Sequence, residues 1–228
     1  MKNQFYKIYG GGSFGRRMKT ERLLVFRSGI LTCIMGMHGR GQRGFRSFFK
    51  RTKEIRKGKN EDGVMSNIKN NPKHNNKLIK AIRGTLEHRA AWLYLLLDEA
   101  EKQGISSENF AKKAIMRCGC FQGDQLIAEA GTRSLKGLKK KLFNFPARMV
   151  FEMKILACTD DRLDIDFHYC PLVAAWQSHG VADEQIVKLC DISMQGDRGI
   201  AGSFGCELKL GETIAQGYSK CEIRFKRL

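Results

Sequence analysis

The chain has 228 residues, which suits one domain or one domain with an extension. Its 42 % apolar content excludes wholesale disorder, and three prolines without a repeat exclude collagen-like and proline-rich classes. A net charge of +18 points to nucleic acid or an anionic surface only if it lies on the folded part.

Most of it does not. Residues 1–64 carry 16 Lys+Arg against 4 Asp+Glu, whereas residues 65–228 carry 25 against 19. The first 64 residues also lack an apolar period and are broken by Gly10-Gly11-Gly12 and Gly39-Arg40-Gly41. They read as a basic, disordered extension ahead of a single domain at residues 65–228. Two alternatives stand beside this: an upstream stretch with Met65 as the true start, and an arm that binds RNA through its phosphates. The apolar run Gly29–Met37 is far short of the roughly 20 residues that span a bilayer, and it starts too late for an ordinary secretory signal. Eight cysteines without an export signal are expected to be reduced thiols in a cytoplasm.

Helical spacing begins at Lys77, where Leu86, Ala90, Leu93, Leu97 and Ala100 recur every three or four residues before Gly104. Ser106 or Ser107 can cap a second helix with Phe110, Ala114 and Ile115 inward, ending near Cys118-Gly119-Cys120. A looser third segment spans Gln125–Phe143, with Lys136, Lys139, Lys140 and Lys141 on a solvated face.

The period changes after Pro146. Met149–Cys158 and Leu163–Tyr169 read as strands joined by a turn at Thr159–Arg162. Leu163, Ile165 and Phe167 alternate against Asp164, Asp166 and His168. Pro171 opens a helix that ends at Gly180, and Asp183 caps a longer one from Glu184 towards Ala201. Cys206–Leu210 and Cys221–Phe225 complete the set. The order α-α-α-β-β-α-α-β-β describes an α+β domain with an antiparallel sheet.

Candidate chemistry gathers in the last third. Cys170 precedes the helix-starting Pro171, where the helix dipole favours a thiolate, and His168 is a candidate base or ligand nearby. The competing reading makes Cys170 a small core residue. Cys190, Met194 and Asp197 are spaced to share a helix face. Asp197 and Arg198 are either a surface ion pair or, beside a thiol, a water-activating carboxylate and a carboxylate anchor. Cys170, Cys190 and Cys221, from separate elements, are the candidate ligands if a divalent metal such as zinc is bound, although no Cys-x-x-Cys pair supports it.

The string His168-Tyr169-Cys170-Pro171-Leu172-Val173, Leu189-Cys190-Asp191, Gly196-Asp197-Arg198-Gly199 and Cys221-Glu222-Ile223-Arg224-Phe225 resembles the L-2-amino-thiazoline-4-carboxylic acid hydrolase family. Arg89-Ala90-Ala91-Trp92 and Met116-Arg117-Cys118-Gly119 fit it too, and the resemblance covers residues 78–226. The ending also looks, more distantly, like that of 4-vinyl reductase-type small-molecule-binding domains.

The family name implies hydrolytic opening of a cyclic amidine to a carbamoyl-cysteine. Laid on the matching positions, that chemistry makes Cys170 the candidate nucleophile or metal ligand and His168 the proton carrier. It makes Asp197 the partner of the amidinium, with Arg198 and Asp191 binding substrate. Cys190 and Cys221 complete a reactive cluster or a metal site. A non-catalytic ligand-binding or sensor module on the same fold is the alternative.

Overall fold

A computed structural model describes residues 66–228. The expectations for the basic extension, the Met65 start and an RNA-binding arm lie outside the described residues.

Helix α1 (Lys77–Lys102) starts where Asn76 Oδ1 accepts the Ile79 N–H at 2.9 Å, and Gly104 follows it at φ 74°. It buries Ile79, Arg83, Ala90 and Leu97 along one stripe. Helix α2 (Glu108–Ala130) does not stop at Cys118-Gly119-Cys120. It continues to Gly131, whose φ of 65° supplies the left-handed cap. Its inner face is Ala111, Gly119, Gly123 and Leu126, while Phe110 is exposed. The third segment divides into α3 (Leu135–Lys141) and α4 (Phe145–Val150), capped by the side chains of Ser134 and Asn144. The extra helix takes the first residues expected of a strand.

Strands β1 (Met153–Cys158) and β2 (Arg162–Phe167) form a hairpin. Helices α5 (Pro171–Ser178) and α6 (Asp183–Ser203) follow, then β3 (Cys206–Leu210), a short 3-10 turn at Ile214–Gln216 and β4 (Cys221–Arg227). Asp183 is the first residue of α6 and not its cap. Its carboxylate instead accepts from Ser66 Oγ at 2.7 Å and the Asn67 N–H at 2.8 Å. The sheet is antiparallel throughout, in the order β1-β2-β4-β3, so the domain is α+β.

The predicted alternation on β2 holds. Leu163 and Ile165 are buried with Ile223 and Phe225 of β4 in the core. On the alternate residues, Asp166 takes Lys220 Nζ at 2.8 Å and Arg224 Nη2 at 2.7 Å. Burial pushes the Asp166 carboxyl up, but the two cations outweigh it and hold it below its ordinary value.

Two contacts position the site. Helices α2 and α6 pack through glycine: a Cβ on Gly119 would overlap the carbonyl of Gly196, and one on Gly199 would overlap the carbonyl of Met116. The segment before α1 is tied down as well. Asn70 clasps Cys170 from both sides, its Oδ1 accepting the Cys170 N–H at 2.9 Å and its Nδ2–H donating to the Cys170 carbonyl at 2.8 Å. Below it, the buried Arg83 pairs with Glu152 at 3.1 Å and stacks 4.1 Å over the Tyr169 ring. Glu152 itself sits at φ 52°, an uncommon backbone state for a residue other than glycine.

Candidate active site

Between α1, α2, α6 and the sheet lies a cavity of about 360 Å³. Helix α6 contributes a stripe at helical spacing, Cys190, Ser193, Met194, Asp197 and Ile200. Cys170 enters from the start of α5 and Cys221 from the start of β4. The structure therefore brings Cys170, Cys190, Cys221 and Asp197 to one space. The glycine seam explains how α6 gets there, because Asp197 lies between Gly196 and Gly199 where the helix is drawn against α2.

The lining is mostly apolar, with Phe143, Phe151, Phe167 and Trp176 among it. The Phe167 ring meets those of Phe151 and Phe143 at centroid distances of 5.2 and 6.3 Å, so the three rings form one aromatic wall. The Trp176 indole is satisfied within the wall, donating to the Ala90 carbonyl at 3.0 Å. Arg89 of α1 and Cys118 and Gln122 of α2 line the cavity and are also exposed, which marks them as its mouth.

Electrostatics follow from this apolar setting. Burial raises the Asp197 carboxyl to about 6; Arg89 and Arg198 pull the other way but do not cancel it. Burial also raises the Cys170 thiol, and the N–H groups of Val173 and Leu172 offset this only in part. At this helix start desolvation therefore outweighs the N–H groups that would favour the expected thiolate. Cys190 is pushed well above its ordinary value by burial, and Cys221 to about 12, although the Ile214 N–H donates to its Sγ at 3.3 Å.

Three expected members lie elsewhere. His168 lines a separate open groove with Lys73, His74, Arg148 and Lys154, because β2 ends at Phe167. Phe167 faces the cavity, so the next residue faces away; sharing a face with Cys170 would need a strand that continues. Arg198 and Asp191 are not in the cavity lining either. Arg198 Nη1 meets Asp191 Oδ1 at 3.2 Å, and Lys112 Nζ meets Asp191 Oδ2 at 2.7 Å. Lys112 first and then Arg198 hold the Asp191 carboxyl below its ordinary value. This is a surface ion cluster.

Among the described residues no group of three or more His, Cys, Asp or Glu side chains is placed to hold a metal, so the three thiols do not fit the zinc site considered for them. Residues given no role from the sequence join the cavity: Arg89, Gln122, Thr213 and Ser193, whose buried hydroxyl has no hydrogen-bond partner. Ser193 was legible in principle, being three residues from Cys190 and four from Asp197. Arg89 falls in the Arg89-Ala90-Ala91-Trp92 stretch of the resemblance, but its place in the cavity had no local signal, since it comes from a helix far away in the chain.

A family model described as L-2-amino-thiazoline-4-carboxylic acid hydrolase matches residues 83–225. No curated protein matches the chain. Among solved structures, a trafficking protein particle complex subunit 3 from Naegleria fowleri, covalently bound to palmitic acid, is similar. It has 15 % sequence identity, covers 61 % of this chain and 93 % of that chain, and gives a TM-score of 0.43. No described helix is long and apolar enough to cross a membrane.

Proposed function

The chain belongs to the L-2-amino-thiazoline-4-carboxylic acid hydrolase family, and from that premise we propose that it is a small-molecule hydrolase that opens a cyclic amidine. The observation that carries this reading is Asp197: a carboxylate in an apolar cavity, raised to about 6, with Arg89 at the same cavity's mouth. A carboxylate titrating near neutral pH can both take and return a proton.

In this reading Arg89 holds the substrate carboxylate and so orients the ring. Water attacks the ring carbon between nitrogen and sulfur, with Asp197 accepting its proton. The bond from that carbon to the ring nitrogen then breaks. The water oxygen becomes the carbonyl oxygen, and both water hydrogens end on the former ring nitrogen, which leaves a carbamoyl-cysteine. Cys170, Cys190 and Cys221 surround the ring as protonated thiols. Burial favours water over the Cys170 thiolate as the attacking group, because little thiolate exists at neutral pH. Seven free cysteines among the described residues suit a reducing compartment, the cytoplasm.

The test is incubation of the purified full chain with L-2-amino-thiazoline-4-carboxylate and mass spectrometry for carbamoyl-cysteine. Product is expected with the native chain, and Asp197→Asn should lower its rate about a hundredfold or more while the circular dichroism spectrum stays native. Absence of product with the native chain overturns the reading. One observation favours the second reading, a non-catalytic binding module: all three inner thiols are pushed up by burial, which removes the most common nucleophile.

A further inference from the structure

The cavity is too large and too apolar for the bare ring that gives the family its name. L-2-amino-thiazoline-4-carboxylate has roughly nine non-hydrogen atoms and is polar on most of its edge, whereas sites of a few hundred Å³ with apolar walls hold drug-sized ligands. This cavity measures about 360 Å³. Its hydrogen-bonding groups are few: Arg89 and Gln122 at the mouth, with Asp197, Ser193 and Thr213. The unpartnered Ser193 hydroxyl is a polar atom that a bound ligand would satisfy.

The aromatic side chains are not spread evenly. Phe143, Phe151 and Phe167 form one wall, with ring centroids 5.2 to 6.3 Å apart along the chain of contacts. None of this wall serves the proposed chemistry, which needs only the carboxylate, the cation and water. A surface of ring edges and faces is matched by another ring.

Resting on the hydrolase reading for the polar end, we infer that the substrate is a carboxylate-bearing cyclic amidine with an aryl substituent. Its carboxylate meets Arg89 at the mouth, its amidine lies by Asp197, and its aryl group packs against the Phe143–Phe151–Phe167 wall.

The probes are 2-amino-thiazoline-4-carboxylate and its 2-benzylamino derivative, with affinity measured by titration calorimetry and product by mass spectrometry. The benzylamino compound should bind the full chain at least tenfold more tightly, as expected for burying a phenyl group. Ala147→Phe, which fills the cavity beside the aromatic wall, should erase that gain; if this variant does not fold, Met153→Phe serves the same purpose. Equal or weaker binding of the benzylamino compound overturns the inference, as does a gain left intact by whichever filling variant folds. The two readings fail separately. Tighter binding without product from either compound supports the ligand class and removes the hydrolase. Product from the unsubstituted ring, with no gain from the aryl group, keeps the hydrolase and removes the ligand class.

Discussion

Gly119 and Gly196 touch backbone to backbone, and a single methyl group on Gly119 would overlap the Gly196 carbonyl. That contact sets the depth at which α6 presents Cys190, Ser193 and Asp197 to the cavity.

Gly119→Ala should therefore destabilise the protein by about 2–3 kcal/mol, the cost of overpacking a seam that cannot yield without moving a helix. Gly84, exposed on α1 with open space where its Cβ would lie, is the control. Gly84→Ala should stabilise by roughly 0.5–1 kcal/mol through helix propensity. Urea denaturation of both variants checks the pair, and equal effects would show that the seam is slack.

Asp197 gives a pH signature. Its folded value of about 6 lies above the ordinary 3.8, so the folded chain holds a proton that the unfolded chain releases. Stability contributed by this group is full below pH 3.8, falls as pH rises towards 6 and is gone above it. Asp197→Asn should be more stable than the native chain at pH 7, by about 2 kcal/mol, with the difference vanishing near pH 4. The same group predicts that kcat/KM rises with pH through about 6, as a general base requires. Denaturation at four pH values and a pH–rate profile read the two effects independently.

Thiol labelling should follow exposure. Cys118 is exposed at the cavity mouth, whereas burial raises Cys170, Cys190 and Cys221. Iodoacetamide at pH 7 should modify Cys118 well before these three, read by peptide mass mapping. Early labelling of Cys170 would restore the thiolate nucleophile and displace water from the proposed mechanism.

Arg83 and Glu152 form a buried ion pair that also engages the Val150 and His74 carbonyls and the N–H groups of Lys73 and His74. Arg83→Leu strands the carboxylate and should cost about 3–5 kcal/mol. The double change Arg83→Leu with Glu152→Gln should recover part of that loss in thermal melts, because no uncompensated charge remains buried.

How much of this was legible follows from what each residue needs in order to be read. The alternation of Leu163, Ile165 and Phe167 is local, and it gave the face of β2 correctly. The spacing of Cys190, Met194 and Asp197 is local too, and all three line the cavity. Gly119 reads as a helix end because glycine looks the same as a breaker and as a close-packing residue; only its partner on α6 distinguishes them. Cys170 was placed correctly at the helix start, but its charge state depends on burial by distant elements. Arg89 reaches the cavity only through tertiary packing.

The pairing of β2 with β4 has a kinetic consequence. Phe167 lies opposite Cys221 in the sheet, yet α5, α6 and β3 separate them along the chain. Such a long-range closure is slow compared with forming a helix or the β1–β2 hairpin. Cys221 and Ile223 of β4 line the cavity, so an intermediate with its helices formed but β4 undocked would expose the aromatic wall to solvent. A hydrophobic dye present during refolding should accordingly brighten and then fade as the last wall closes.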